Sequence, residues 1–207
     1  MNRYFKHLAC GLAAGLALPF MAAQSAAAQS PPVADLVTDE FVTELRTFLE
    51  VPIIIEAIEM QNDMRASITQ EDILKLDDTW RAEVGHEGDQ PLITLAIGGP
   101  ASTYLLRQQA SSKGLFSEIF VMDKNGLNVA QSSITSDYWQ GDEAKFQKTF
   151  PVGPSAVFID EPEFNDEYGI WVVQVNLTLS REGRPIGTST VEINLTELDR
   201  RSQRGLF

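Results

Sequence analysis

The chain has 207 residues, with 16 Lys plus Arg against 29 Asp plus Glu, for a formal charge of −13. That balance argues against nucleic acid as a partner, because a phosphate backbone needs a basic face, and against an anionic membrane surface as a landing site. With 43% of residues hydrophobic and no apolar run long enough for an internal membrane span, the composition fits one compact domain, or one domain with a helical extension.

The first residues form a unit of their own. Arg3 and Lys6 precede an apolar stretch from Leu8 to Ala23, and small residues follow to Ala26-Ala27-Ala28. A basic start, an apolar middle and an A-x-A end are the parts of a secretory signal peptide. Gly11, Gly15 and Pro19 interrupt the apolar part, which is short for a permanent span. Cleavage near Ala28 is therefore expected, with a retained anchor as the rival reading, and the periplasm is the expected compartment. Taking residues 1–28, whose only charges are Arg3 and Lys6, from the 207 leaves 179 residues and moves the charge from −13 to −15. It also removes Cys10 and leaves His86 as the one histidine. A disulfide, a thiolate nucleophile, a Cys-ligated metal and a multi-His zinc site are then excluded. A Ser-His-Asp triad would have to use His86, which lies in the polar segment Gly85-His86-Glu87-Gly88-Asp89 and reads as a surface residue.

Residues 29–114 read as a helical region. Leu36, Val37, Phe41, Leu45, Phe48 and Leu49 recur at three- and four-residue spacing, which predicts a helix over about 35–50. Pro52 interrupts it, so a second or kinked helix is expected over 52–63, with Ile53, Ile54, Ile55, Ile58 and Met60 apolar. The stripe along 35–63 suits either a core or a homodimer seam. Thr69-Gln70-Glu71-Asp72 resembles a capping box and opens a helix to about Val84. Pro91 to Ile97 is apolar and fits helix or strand, and a helix from about Ala101 to Lys113 is stopped by Gly114.

Beyond Gly114 the period changes from helical to alternating. Phe116 to Met122 is rich in β-formers, Asp123-Lys124-Asn125-Gly126 is a turn, and Leu127 to Ala130 returns. A polar, aromatic loop runs from Ser132 to Gly141, and a short helix is expected over about 142–149. Strands are expected over 155–159, 170–180 and 186–195, with an acidic loop at 160–167 and the turn Arg181-Glu182-Gly183-Arg184-Pro185 between the last two. Helices first, then an antiparallel sheet of about five strands with a short inserted helix, is an α+β arrangement. The sheet core is bounded at 115–198, and 199–207 reads as a polar tail.

The hairpin Ile119-Phe120-Val121-Met122-Asp123-Lys124-Asn125-Gly126, the loop and helix Asp137-Tyr138-Trp139-Gln140-Gly141-Asp142-Glu143-Ala144-Lys145-Phe146, and the ending Gly187-Thr188-Ser189-Thr190-Val191-Glu192-Ile193-Asn194-Leu195 follow one another in that order. Over about residues 35–198 the chain resembles the Cache, or PDC, sensor domains, the extracytoplasmic relatives of PAS domains, in their single-Cache form. The resemblance implies a concave pocket on one sheet face, covered by the loop and short helix. It further implies a small solute as ligand and no catalytic activity. Such domains normally pass the binding event to a membrane-bound signalling module. Only twelve residues follow Leu195 here, so the expectation is a free-standing member that signals through a separate membrane partner.

The expected ligand-binding residues are Asp137, Tyr138, Trp139, Asp142, Lys145, Tyr168 and Trp171. Aromatic faces would supply apolar walls, and the acids and Lys145 the polar ends. Carboxylate-binding members of the family usually place an Arg in the aromatic loop. None lies between Ser111 and Ser180, so a cationic or neutral ligand is favoured slightly over a carboxylate. Four of these have a plainer role, Tyr138 and Trp139 as packing, Trp171 as core and Asp142 as a helix-start acid, and Asp123 reads as a turn residue rather than a ligand contact. No cofactor is called for. Asp160, Glu161, Glu163, Asp166 and Glu167 are dense enough to hold Ca²⁺ or Mg²⁺, but their spacing is not that of an EF-hand, and a solvated loop is the ordinary outcome. Two rivals stay open: an interaction protein that docks or dimerises through 35–63 without any small ligand, and a carboxylate-based hydrolase using the acids of 160–167.

Overall fold

The structure is a computed structural model in which residues 36–206 are described; the expected leader, residues 1–28, lies outside them. The first helix, α1 (Asp39–Leu49), starts where the Thr38 hydroxyl accepts the Phe41 N–H at 3.2 Å. The next, α2 (Pro52–Met64), is a separate helix with Pro52 in its first turn, where a missing N–H costs nothing. The third, α3 (Gln70–Val84), has the reciprocal Thr69–Asp72 capping box. Two short helices follow, α4 (Pro91–Ile97) and α5 (Pro100–Ser111), each beginning on a proline. The apolar segment 91–97 is thus helix.

The sheet comprises β1 (Phe116–Asp123), β2 (Asn128–Gln131), β3 (Val157–Ile159), β4 (Glu163–Asn165), β5 (Ile170–Arg181) and β6 (Arg184–Asn194), with α6 (Ala144–Gln147) between β2 and β3 and α7 (Leu195–Ser202) after β6. All pairings are antiparallel, in the order β2-β1-β6-β5-β3, with β4 pairing β5 farther along the same strand. The α+β expectation holds, with six strands where about five were expected. Two boundaries are corrected. The acidic stretch 160–167 contains β4, because Phe164 pairs with Trp171 and tilts its ring against that indole at 5.3 Å. The polar segment after Leu195 is largely α7, which buries Leu195 and Leu198.

The two sheet faces differ sharply, as period-2 alternation allows. One face presents Ile119, Val121, Val173, Val175, Leu177, Val191 and Ile193, and packs in the main core with Phe41, Leu45, Leu49, Ile54, Ile58, Leu105 and Leu198 from the helices. Most of the apolar stripe of 35–63 is therefore spent inside the domain, through Leu45, Leu49, Ile54 and Ile58, while Ile53 and Met60 stay exposed on α2. On α1 the buried residues are Phe41, Val42, Leu45 and Leu49. Gly187 of β6 belongs to this fit: a methyl there would run into the Met122 carbonyl and meet the Ile58 side chain at 3.0 Å. The opposite face carries Glu118, Phe120, Met122, Gln174, Asn176, Thr178, Thr188, Thr190 and Glu192. Its registers are Glu118↔Glu192, Phe120↔Thr190, Gln174↔Glu192 and Asn176↔Thr190. A smaller second cluster joins Ile73 and Trp80 of α3 to Ile93 and Ala96 of α4, with Leu127 and Tyr138.

Candidate functional site

The polar sheet face is where a solute could enter. Its inner part is sealed. Phe120, Met122, Asn176, Thr178, Thr188 and Thr190 are buried, and Thr190 Oγ1 donates to Asn176 Oδ1 at 2.8 Å. The Thr178 hydroxyl is buried with no hydrogen-bond partner. At the outer part a cleft of about 200 Å³ opens between α6, the β3–β4 segment and the sheet. Its charged lining is Glu143, Lys145, Asp160, Glu161, Glu163 and Glu192, beside Gln174 and Val172.

Lys145 is the one cation in that lining. Its ammonium is 3.0 Å from Glu143 Oε2, donates to Gln140 Oε1 at 3.1 Å, and stands 5.4 Å from the Phe120 ring centre. Five carboxylates therefore line the cleft with one ammonium. Behind them Glu118 stands directly across the strand pair from Glu192, an arrangement that costs stability when both are charged. Burial first, and the Glu192 charge second, push the Glu118 carboxyl up to about 7, with Lys145 opposing. Burial also raises Glu192, against a hydrogen bond from Gln174 and the Lys145 charge.

Of the seven expected ligand residues, Lys145 alone lines this cleft. Tyr138 instead packs toward the helices: it is 2% exposed, stacks on Trp80 with centroids 5.1 Å apart, and its hydroxyl accepts from Arg65 Nη2 at 2.8 Å. The backbone N–H groups of Tyr138 and Trp139 both donate to Asp77 Oδ1, at 2.9 and 3.0 Å, so α3 pulls the loop away from the open sheet face. The Trp139 indole N–H donates to the Asn125 carbonyl at 2.9 Å, which ties the loop to the β1–β2 turn. Asp137 is half-buried and lies 3.5 Å from Arg81 Nη2, and Asp142 is exposed. Tyr168 is 68% exposed in the β4–β5 turn, and Trp171 belongs to the helix-covered face, packed on the main core. Asp123 is a turn residue: its Oδ1 accepts from the Asn125 and Leu127 N–H groups, and Oδ2 from Gln61.

The residues that sequence reasoning missed are Glu118, Gln174 and Glu192. Their signal was present as polar residues at every second position of strands otherwise rich in Val and Ile, but alternation alone reads as an ordinary solvated face. In the acidic segment, Glu161, Glu163, Asp166 and Glu167 are exposed. Among the described residues no group of three or more His, Cys, Asp or Glu side chains is placed to hold a metal ion, and no helix is long and apolar enough to cross a membrane.

No known family profile matches the chain, and no curated protein does. Solved structures do. The ligand-binding domain of the Campylobacter jejuni chemoreceptor Tlp3, in complex with 4-methylisoleucine, is 14% identical with a TM-score of 0.38, over 74% of this chain and 65% of that one. The ligand-binding domain of the Pseudomonas aeruginosa PAO1 amino acid chemoreceptor PctC, in complex with GABA, is 14% identical with a TM-score of 0.39, over 78% and 62%. The extracellular domain of a protein described as a histidine kinase, vpHK1S-Z8, is 10% identical with a TM-score of 0.43, over 78% and 52%. The chain thus spans between 52% and 65% of the length of these three. They are ligand-binding domains of chemoreceptors and the extracellular domain of a histidine kinase, and the likeness to them is one of fold alone.

Proposed function

We propose that this protein is a non-catalytic, periplasmic solute-sensing domain of the Cache type. It holds a small cationic solute in the cleft between α6 and the sheet and signals through a separate membrane-bound partner. The observation that carries the reading is the composition of that cleft: five carboxylates and one lysine around a space of about 200 Å³. Such a volume lies below the range of about 300–1,000 Å³ typical of drug-sized ligands and suits an amine of metabolite size. An ammonium group entering it would stand among Glu192, Glu163 and Glu143 and offset their mutual repulsion, which a carboxylate ligand would increase. The leader at 1–28 and the ordered hairpin, loop and terminal hairpin support the same reading from the sequence.

Thermal melting of the purified full chain against putrescine, a monoamine and succinate tests the proposal. A solute at about 100 times its Kd adds about 2.7 kcal/mol, which for a domain of this size is a rise of about 5–10 °C in Tm. The rise is expected with an amine, absent with succinate, and reduced in Glu192→Gln. A chain that no amine stabilises, or a rise that survives Glu192→Gln undiminished, would favour the interaction-protein reading.

A further inference from the structure

A second cavity, of about 350 Å³, lies on the helical side of the molecule between α2, α4 and α5, above β2. It shares no lining residue with the acidic cleft. Its walls are apolar, and its rim leaves large apolar side chains in water: Met60 is 60% exposed, Met64 73% and Leu95 74%. Exposed apolar side chains gathered around one hollow mark a binding surface.

The polar groups in this cavity are what specify an occupant. Arg65, at the C-terminal end of α2, places its guanidinium carbon 5.3 Å from the Tyr138 ring centre and donates from Nη2 to the Tyr138 hydroxyl at 2.8 Å. Its Nη1 is buried with no hydrogen-bond partner, and among the described residues Arg65 forms no ion pair. A buried guanidinium N–H without an acceptor is costly, and the Tyr138 hydroxyl, having accepted from Arg65, still has its own proton to donate. Arg65 and Tyr138 are both among the residues that line the cavity. The one carboxylate in that lining, Glu56, is exposed and lies nine residues back along the chain, about 13 Å along a helix axis, too far to satisfy Arg65.

We infer that this cavity binds a small monocarboxylate with an apolar tail. The carboxylate takes the Arg65 Nη1–H and the Tyr138 O–H, and the tail lies along α2 between Met60, Met64 and Leu95. Arg is the side chain best suited to a carboxylate, by charge and by its paired donors, and the apolar walls supply the affinity. This site stands independently of the proposed amine cleft.

Octanoate, octylamine and octanol are the probes, titrated calorimetrically into the purified full chain, with tryptophan fluorescence as a second readout, since the Trp80 ring stacks on Tyr138, and with Trp139→Phe/Trp171→Phe as the background that isolates it. Octanoate is expected to bind at least about 10-fold more tightly than octylamine. Arg65→Gln should weaken octanoate by about 10- to 100-fold, the worth of a hydrogen bond to a charged group, while leaving octanol unchanged. Leu95→Glu, at an exposed rim position that folding does not need, should weaken octanoate and octanol alike. The inference is overturned if octanoate does not bind, if Arg65→Gln folds and binds it as before, or if Leu95→Glu abolishes self-association in sedimentation without changing octanoate affinity, which would make the groove an interface between copies of the chain.

Discussion

Glu118 and Glu192 show how one cross-strand pair sets the chemistry of a surface. Their partner positions on β1 and β6 bring two carboxylates together under a partly closed cleft, and Glu118 is pushed up to about 7 from an ordinary 4.5. Between those values the folded chain holds a proton that the unfolded chain has released, so stability is present at low pH and declines as pH rises from about 4.5 towards 7. Glu118→Gln removes the titration. Its Tm is expected to exceed that of the unmodified chain at pH 8, by about 2–4 °C for each kcal/mol relieved, and to match it near pH 4.5. Melts recorded from pH 4 to 8 check this, and a variant less stable at pH 8 would contradict it. Tyr138 carries the opposite lesson. Its place in an aromatic loop was legible, but its direction was not, because the Asp77 carboxylate that fixes it lies 61 residues earlier in the chain.

At the scale of elements, the legible pieces are those whose start signals are local. Thr69 with Asp72 and Pro52 announced α3 and α2 from neighbouring residues alone. The segment 91–97 stayed open because its capping group comes from elsewhere: the Glu83 carboxylate of α3 accepts the Leu92 and Ile93 N–H groups at 3.1 and 2.9 Å. The terminal α7 was missed because half of its eight residues are charged and only Leu195 and Leu198 are apolar, too few to display a period. Yet Asn194 caps it, accepting from the Glu197 N–H at 3.0 Å, and Leu198 is 2% exposed in the main core. Leu198→Ala is expected to cost about 2–5 kcal/mol and Asn194→Ala about 0.5–2 kcal/mol, read as shifts of the urea midpoint. If residues 195–202 were a solvated tail, both would be neutral.

The whole molecule carries an excess of negative charge, −13 over 207 residues, and such an excess opposes a compact state by self-repulsion. Raising NaCl from about 10 to 200 mM shortens the Debye length from about 30 Å to under 10 Å. Tm in the absence of solute is expected to rise over that range, while the affinity for an amine falls, because the same screening weakens its attraction to the cleft. Calorimetry and melting in the same buffers separate the two, and a Tm that drops with salt would show that the acids are paired more fully than the ion pairs of the surface suggest.

Local chemistry, written in order along the chain, determined the run of helices, the switch to alternation after Gly114, the Asp123–Gly126 turn and the acidic balance that disfavours nucleic acid. Those properties depend on neighbours within a few residues, which a linear string contains. Which loop residues meet the open sheet face was decided only by the fold. Asp77 draws Tyr138 and Trp139 toward α3, and the β1–β6 register sets Glu118 beside Glu192. Hydrogen bonds and strand partners that span tens of residues are chosen by the packing of the finished core, and no local pattern encodes them.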